Sequence, residues 1–183
     1  MKAISSILHG KDIIKSKACE NAMLVTGFVI MTALGAYIRI PLAFTPVPIT
    51  LQTFFVILSG AILGRRLGLF AQASYVMLGV LGLPIFQGYN AGVFYLAGPT
   101  GGYLLGFIAA AYVTGFLARK NVVLAMSAGL FTIYALGVLW LAVGFGTGFK
   151  SAVLLGFVPF IPGAFLKLVM ASLVYAKIKK IKS

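Results

Sequence analysis

Long apolar stretches alternate with short polar segments along the chain, and this pattern predicts a helical membrane protein. A helix needs about 20 apolar residues to cross a bilayer. Six stretches approach or reach that length, and we interpret them as transmembrane helices joined by short connections. Their predicted bounds are 21–40, 50–64, 67–83, 101–118, 122–143 and 151–176. The predicted fold class is therefore all-α, with residues 1–183 forming a single integral membrane domain.

The second and third stretches are short, and only Arg65 and Arg66 separate them. This spacing predicts a tight helical hairpin that does not fully span the membrane. Composition supports a membrane environment, because 61% of the residues are hydrophobic and the mean hydropathy is +1.08, outside the range of soluble domains. The first apolar run is too long for a signal-peptide core, so residues 1–20 are expected to remain part of the protein.

The formal charge of +13 is dispersed in short clusters between the apolar stretches, which is typical of membrane topology rather than of nucleic-acid binding. If the spans alternate, two cations lie on one side, Arg39 and Lys150. Twelve lie on the other side: Lys2, Lys11, Lys15, Lys17, Arg65, Arg66, Arg119, Lys120, Lys177, Lys179, Lys180 and Lys182. This bias predicts a protein of the cell membrane with both termini and the segment 1–20 in the cytoplasm.

The connections predicted to face outward are 41–49, 84–100 and 144–150. The first is proline-rich and apolar, and the second is rich in glycine and aromatic residues. Non-helical backbone at membrane depth is tolerated where it is buried or lines a cavity. We therefore expect both to fold inward over an outward-facing cavity. The alternative is a pair of surface turns whose aromatic side chains sit among the lipid headgroups.

The chain contains few of the side chains that enzymes use for catalysis. It contains one cysteine, one histidine and two acidic side chains, Asp12 and Glu20, and a Gly-x-x-x-x-Gly-Lys-Ser/Thr loop is absent. We expect no enzymatic activity, no metal site and no cofactor. Ion-driven transport usually places acidic residues or histidine inside the membrane. The predicted spans contain none, which favours ligand binding over ion-coupled pumping. Sodium coupling through backbone and hydroxyl groups stays open as an alternative.

Lys167 lies inside the last apolar stretch, five residues after Pro162, without an acidic neighbour in sequence. A lysine inside a membrane span is costly and marks a functional site by default. Three interpretations remain open: binding of an anionic ligand group, snorkelling to an interface, or a structural role against carbonyl groups freed at the proline. We expect Pro162 to interrupt the helix and to let irregular backbone face the cavity.

Polar side chains near the outer ends of the spans are further candidates for ligand binding. Gln87, Tyr89 and Asn90 lie in the connection 84–100, and Gln52 lies near the outer end of the second span. Side-chain amides offer donors and acceptors that suit a urea or amide group, and ordinary loop hydrogen bonding is the alternative. Arg39 is interpreted as an interfacial residue. Three aromatic residues are interpreted as parts of aromatic belts, with packing against an apolar ligand as the alternative: Tyr37, Tyr103 and Trp140.

Small residues recur at Ala18, Ala22 and Thr26, spaced four apart at the start of the first span. Such a ridge allows close helix approach in membranes. It predicts a seat either for a helix of the same chain or for a partner subunit.

Three segments together resemble the BioY family, the biotin-binding S-components of energy-coupling factor (ECF) transporters. They are 45–54 (TPVPITLQTF), 98–103 (GPTGGY) with the preceding 82–84 (GLP), and 159–167 (PFIPGAFLK). The resemblance implies a six-helix protein that captures biotin from outside. It also implies partners, a transmembrane coupling subunit and two ATPases, which alone use ATP. The ridge of Ala18, Ala22 and Thr26 is then the expected docking surface.

One position departs from the family pattern. The family's last motif usually has Pro-Gly-Asp before the lysine, and Ala164 stands here in place of the acidic residue. The resemblance implies that this position contributes to ligand recognition. Three outcomes remain open: weaker binding, a substitute acceptor, or preference for a relative of biotin.

Three hypotheses follow from the residues and the resemblance. The first is a substrate-binding subunit for biotin, and the second is a self-sufficient secondary transporter for a small organic anion. The third is a membrane structural protein without a ligand. The lack of intramembrane carboxylates disfavours the second, and Lys167 together with the apolar outer loops disfavours the third.

Overall fold

The computed structural model describes residues 17–182, and the helices predicted from the apolar pattern are present there. The chain order is α1 (Lys17–Tyr37), β1 (Arg39–Ile40), β2 (Ile49–Thr50), α2 (Gln52–Val80), α3 (Val93–Ala97), α4 (Gly101–Leu117), α5 (Val122–Gly144), α6 (Phe149–Gly156) and α7 (Ile161–Lys182). Short 3₁₀ turns occur at Gln87–Tyr89 and Val158–Phe160. The predicted all-α class is confirmed, apart from two strands of two residues each.

Four helical runs are long and apolar enough to cross a membrane. They are Lys17–Tyr37, Gln52–Val80, Val122–Gly144 and Phe149–Ile181, and Gly101–Leu117 is apolar but shorter. Each of the six predicted stretches coincides with helix, because α2 contains two of them. The number of membrane crossings and the side of the termini stay predictions.

The predicted helical hairpin is present within α2, and whether it stops short of a full crossing stays a prediction. Gly64 adopts φ 78° and ψ 175° inside this helix, a left-handed conformation that glycine accepts without strain. The two arms then run antiparallel, since a Cβ on Gly68 would lie 2.9 Å from the Cα of Gly60. The Gln72 amide also reaches back to the Ser59 hydroxyl at 3.1 Å.

Helix α4 is central, because it packs against both α2 and α5. Helix α1 covers α2 on one side, and α7 contacts α2 and α5. Small residues permit the close approach that membrane helices use for packing. Gly60, for example, lies directly against the backbone of Ala111 and the side chain of Thr114.

The first predicted span, 21–40, ends three residues beyond helix α1 and begins four residues after its start. Helix α1 ends at Tyr37, because Arg39 and Ile40 pair with Thr50 and Ile49 in a short antiparallel ladder. The connection 41–49 between these strands folds onto the bundle. The Thr45 hydroxyl donates a hydrogen bond to the Leu155 carbonyl oxygen at 2.8 Å.

The expectation that Pro162 interrupts the last span is wrong. Pro162 is the second residue of α7, a position where its missing N–H costs no intrahelical hydrogen bond. The break lies earlier, at Phe157 (φ −131°, ψ −54°) and in the 3₁₀ turn that contains Pro159. The last apolar stretch is therefore two helices, α6 and α7.

We expect Gly60→Ala to destabilise the protein, because its new methyl group would collide with the Ala111 carbonyl oxygen. Overpacking of this kind costs about 1–3 kcal/mol. Gly27→Ala is the matched control, since nothing lies within 4 Å of a Cβ at that helical position. The control should be neutral or stabilised by up to about 1 kcal/mol. Thermal unfolding in detergent measures both, and equal midpoints would contradict the packing described for α2 and α4.

Candidate functional site

A cavity of about 490 Å³, counted to its open mouth, lies where α2, α4, α7 and the connections 41–49 and 84–100 meet. Both connections fold over it, as predicted from their apolar composition. Its polar lining residues are Thr50, Gln52, Thr53, Gln87, Tyr95, Thr100, Tyr103, Tyr134 and Lys167. Its apolar lining residues are Val47, Pro48, Leu104, Phe107 and Phe160.

Lys167 reaches this cavity from the second turn of α7 and is only 8% exposed. Its ammonium donates a hydrogen bond to the Thr53 hydroxyl at 3.0 Å. Within residues 17–182 no carboxylate pairs with it; Glu20, the acidic side chain of that range, lies in the first turn of α1. An ammonium has three donors. Lys167 therefore offers cationic donors to a ligand, and its burial argues against snorkelling.

Gln52 is held at the cavity wall by a relay of hydrogen bonds. Its Nε2 donates to the Tyr75 hydroxyl at 2.6 Å, and that hydroxyl donates to the Ile85 carbonyl oxygen at 2.9 Å. Because the phenol proton is committed to Ile85, the phenol oxygen must accept from the amide nitrogen. This sets the amide orientation and leaves the Gln52 Oε1 as an acceptor for a ligand.

Hydrogen bonding leaves a donor available on the Gln87 side chain, whereas it leaves an acceptor available on Gln52. Its Oε1 accepts a hydrogen bond from the Arg39 guanidinium at 2.9 Å, so its NH₂ group remains as a donor. Asn90 braces the same turn by donating from Nδ2 to the Gln87 carbonyl oxygen at 2.8 Å. Arg39 therefore orients a cavity-lining side chain, a role that its interpretation as an interfacial residue did not include.

Tyr95 places a buried hydroxyl at the cavity, beside the side chains of Gln87 and Thr100, although neither meets the geometry of a full hydrogen bond to it. Burial raises the pKa of the Tyr95 phenol, which keeps the group neutral and able both to donate and to accept. The ring stacks on Phe86 at a centroid distance of 5.2 Å. Tyr95 is thus a further polar group that the sequence did not single out.

Aromatic rings form the apolar wall. Tyr134 stacks on Phe160 at 5.9 Å between centroids, and Phe107 lies near Tyr75. Tyr103 is buried, and its hydroxyl donates to the Gly156 carbonyl oxygen at 2.8 Å. The aromatic-belt interpretation of Tyr103 is therefore wrong, because its ring packs against Gly137 of α5 inside the bundle.

Three predicted site residues lie away from the cavity wall. Tyr89 is 72% exposed and stacks on Tyr37 at 4.7 Å, and Asn90 is exposed as well. Ala164 is half-buried and lines a separate cleft between α5 and α7. Ligand contact by Tyr89, Asn90 and Ala164 stays a prediction, as it does for Gln52, Gln87 and Lys167, which the structure brings together.

The small-residue ridge is open to the outside of the bundle. Ala18, Ala22 and Thr26 are all exposed on α1. Among residues 17–182 no helix covers this ridge, and its use as a seat for a helix of the same chain stays a prediction. Docking of a partner subunit stays a prediction.

Thr53 is the residue that sequence reasoning missed most clearly. It lies within the segment TPVPITLQTF and directly follows Gln52, so a signal was present. Only the packing of α7 against α2 shows that its hydroxyl is the described partner of Lys167, 114 positions away.

Comparisons with known proteins agree with this architecture. The model of the BioY family matches residues 9–183. The protein named "Biotin transporter BioY" of Thermotoga maritima is 46% identical over 160 residues, which are 85% of this chain and 93% of that protein. The "Probable biotin transporter BioY" of Pyrococcus horikoshii is 40% identical over 87% of this chain and 96% of that protein.

A solved structure shares the fold. The crystal structure of an S-component for biotin from an ECF-type ABC transporter superposes with a TM-score of 0.84 at 22% identity, covering 91% of this chain and 94% of that chain. The match of the family model over nearly the whole chain, with relatives at 46% and 40% identity, shows that this chain belongs to the BioY family.

Proposed function

We propose that this protein captures biotin at the cell membrane and acts as the substrate-binding subunit of an ECF transporter. The observation that carries the proposal is Lys167, a buried cation at a cavity without a described carboxylate partner. Family membership supplies the ligand, since relatives are named as biotin transporters. A transmembrane coupling subunit and two ATPases supply the energy, and this chain itself holds no cofactor and catalyses no reaction.

The residue types at the cavity match the chemistry of biotin. The carboxylate of the ligand pairs with the Lys167 ammonium, which removes the cost of a buried unpaired charge. The ureido group meets amides of both polarities: the Gln52 Oε1 accepts from its N–H groups and the Gln87 NH₂ donates to its carbonyl. The fused rings and the alkyl chain pack against Phe107, Phe160 and Tyr134.

Thr53 is the substitute acceptor in this proposal. The family's acidic residue is replaced by Ala164, so the lysine lacks the carboxylate that would lie one helical turn away. A neutral hydroxyl orients the ammonium without neutralising it. The positive charge therefore remains available to the carboxylate of the ligand.

We expect Lys167→Met to lower biotin affinity at least about thirtyfold, because removing one partner of a buried charge pair costs about 2–5 kcal/mol. Lys177→Met is the matched control, being an exposed lysine on the same helix, and should bind biotin like the unchanged protein. Equilibrium binding of labelled biotin to purified protein measures both. Failure of the unchanged protein to bind at micromolar biotin would sink the proposal, and unchanged affinity in Lys167→Met would remove the lysine from the site.

A neutral biotin amide tests which part of the ligand the lysine binds. The amide should bind the unchanged protein at least about thirtyfold more weakly than biotin does. In Lys167→Met the two ligands should bind within a few-fold of each other, since the interaction is already lost. A preference for biotin that survives in the variant would place the carboxylate elsewhere in the cavity.

Reconstitution distinguishes a transporter subunit from a self-sufficient transporter. Liposomes that contain this chain alone should bind biotin but not accumulate it against a gradient. Uptake driven by a proton or sodium gradient alone would instead support secondary transport of a small organic anion.

A further inference from the structure

A second polar cleft lies at the opposite end of the first arm of α2 from the cavity. It occupies about 490 Å³, counted to its open mouth, between the bend of α2 and the C-terminal end of α4. Gly64, Arg65, Gly115, Phe116 and Arg119 line it. The proposed function makes no use of these residues.

The backbone builds this cleft. Gly64 turns the chain through its left-handed conformation, and a side chain on Gly115 would collide with the backbone of Arg65. Two glycines thus bring the start of the second arm of α2 against the last turn of α4. The guanidinium groups of Arg65 and Arg119 consequently share one small opening although they are 54 positions apart.

Charge in the cleft is positive and is partly preorganised. The Arg65 Cζ lies 5.8 Å from the centre of the Phe116 ring, within the range of a cation–π contact. No carboxylate among residues 17–182 pairs with either arginine, Glu20 being in α1. Guanidinium groups bind phosphate oxygens through paired N–H donors.

An apolar stripe leads from the cleft along α4 towards the middle of the bundle. Leu105, Tyr112 and Phe116 are 40%, 40% and 56% exposed, and their spacing of seven and four residues places them on one helix face. The rings of Tyr112 and Phe116 lie nearly parallel, at 7° and 6.4 Å. A ligand that fits both parts carries a phosphate and a long hydrocarbon chain.

We propose that this cleft binds the phosphate of an anionic phospholipid, with one acyl chain along the stripe of α4. The cationic end of the bundle is predicted to face the cytoplasm, where anionic lipids attract basic side chains. A free phosphate ion would use the arginines but not the stripe. The apolar face therefore favours a lipid as the source of the phosphate.

Native mass spectrometry of the purified protein, titrated with dioleoyl phosphatidylglycerol, tests the site. Arg65→Gln with Arg119→Gln should weaken lipid binding about tenfold or more, because it removes both guanidinium groups that line the cleft and their paired donors to a phosphate. Arg66→Gln with Lys120→Gln is the matched control. It removes the same charge from the adjacent positions, which do not line the cleft, and should change binding less than about twofold. Phe116→Ala should also weaken binding.

Two further probes separate the possible sources of the phosphate. Dioleoyl phosphatidylcholine should bind more weakly than phosphatidylglycerol, and inorganic phosphate alone should not bind measurably. Equal losses in the two double variants, equal binding of the two lipids, or tight binding of inorganic phosphate would each overturn the proposal. The proposal would also be overturned if the double variant Arg65→Gln with Arg119→Gln bound lipid normally but no longer assembled with the coupling subunit.

Biotin binding by each variant confirms its folding. If the double variant Arg65→Gln with Arg119→Gln does not fold, two single variants provide the same comparison. Arg119→Gln changes a residue that lines the cleft, and Lys120→Gln changes its exposed neighbour, which does not. A loss of lipid binding confined to Arg119→Gln supports the site, and equal losses in both variants contradict it.

Discussion

Backbone N–H and C=O groups that leave a helix at membrane depth must find partners within the protein or face a water-filled cavity. In this chain the interruptions at 41–49, 84–100 and 157–160 all contribute to the wall of the cavity. Val47, Gln87 and Phe160 represent the three segments there. Contacts with the bundle hold these irregular segments in place, for example the hydrogen bond from the Thr45 hydroxyl to the Leu155 carbonyl oxygen. The same segments enclose the cavity.

Lys167 gains its significance from this enclosure. A lysine on an isolated apolar helix would extend to the nearest interface, but α7 packs against α2 and directs the ammonium to Thr53. The hydroxyl provides one hydrogen bond and no opposing charge. The charge of Lys167 therefore stays uncompensated within the described part of the protein, which is why the lysine remains the predicted partner of a ligand carboxylate.

Glycine organises both ends of the molecule. At Gly64 it reverses the chain within α2, and at Gly60 and Gly115 it lets α2 and α4 approach backbone to backbone. The first arm of α2 then begins at the cavity with Gln52 and ends beside Arg65 and Arg119, which line the second polar cleft. The apolar pattern predicted this hairpin, because only two arginines separate its arms. The close contacts of the arms depend on helices that are distant in sequence.

The membrane class, the helical stretches, the inward-folding loops and the isolation of Lys167 within an apolar stretch could all be predicted from the amino-acid sequence. These features depend on local apolar length and on the cost of placing a charge in hydrocarbon. Tertiary structure alone decided that Thr53 is the partner of Lys167, that Arg39 orients Gln87 and that Tyr103 lies inside. It also moved the break from Pro162 to Phe157 and placed Tyr89, Asn90 and Ala164 away from the cavity wall. Side-chain direction depends on helix rotation and loop packing, which involve contacts between residues far apart in the chain.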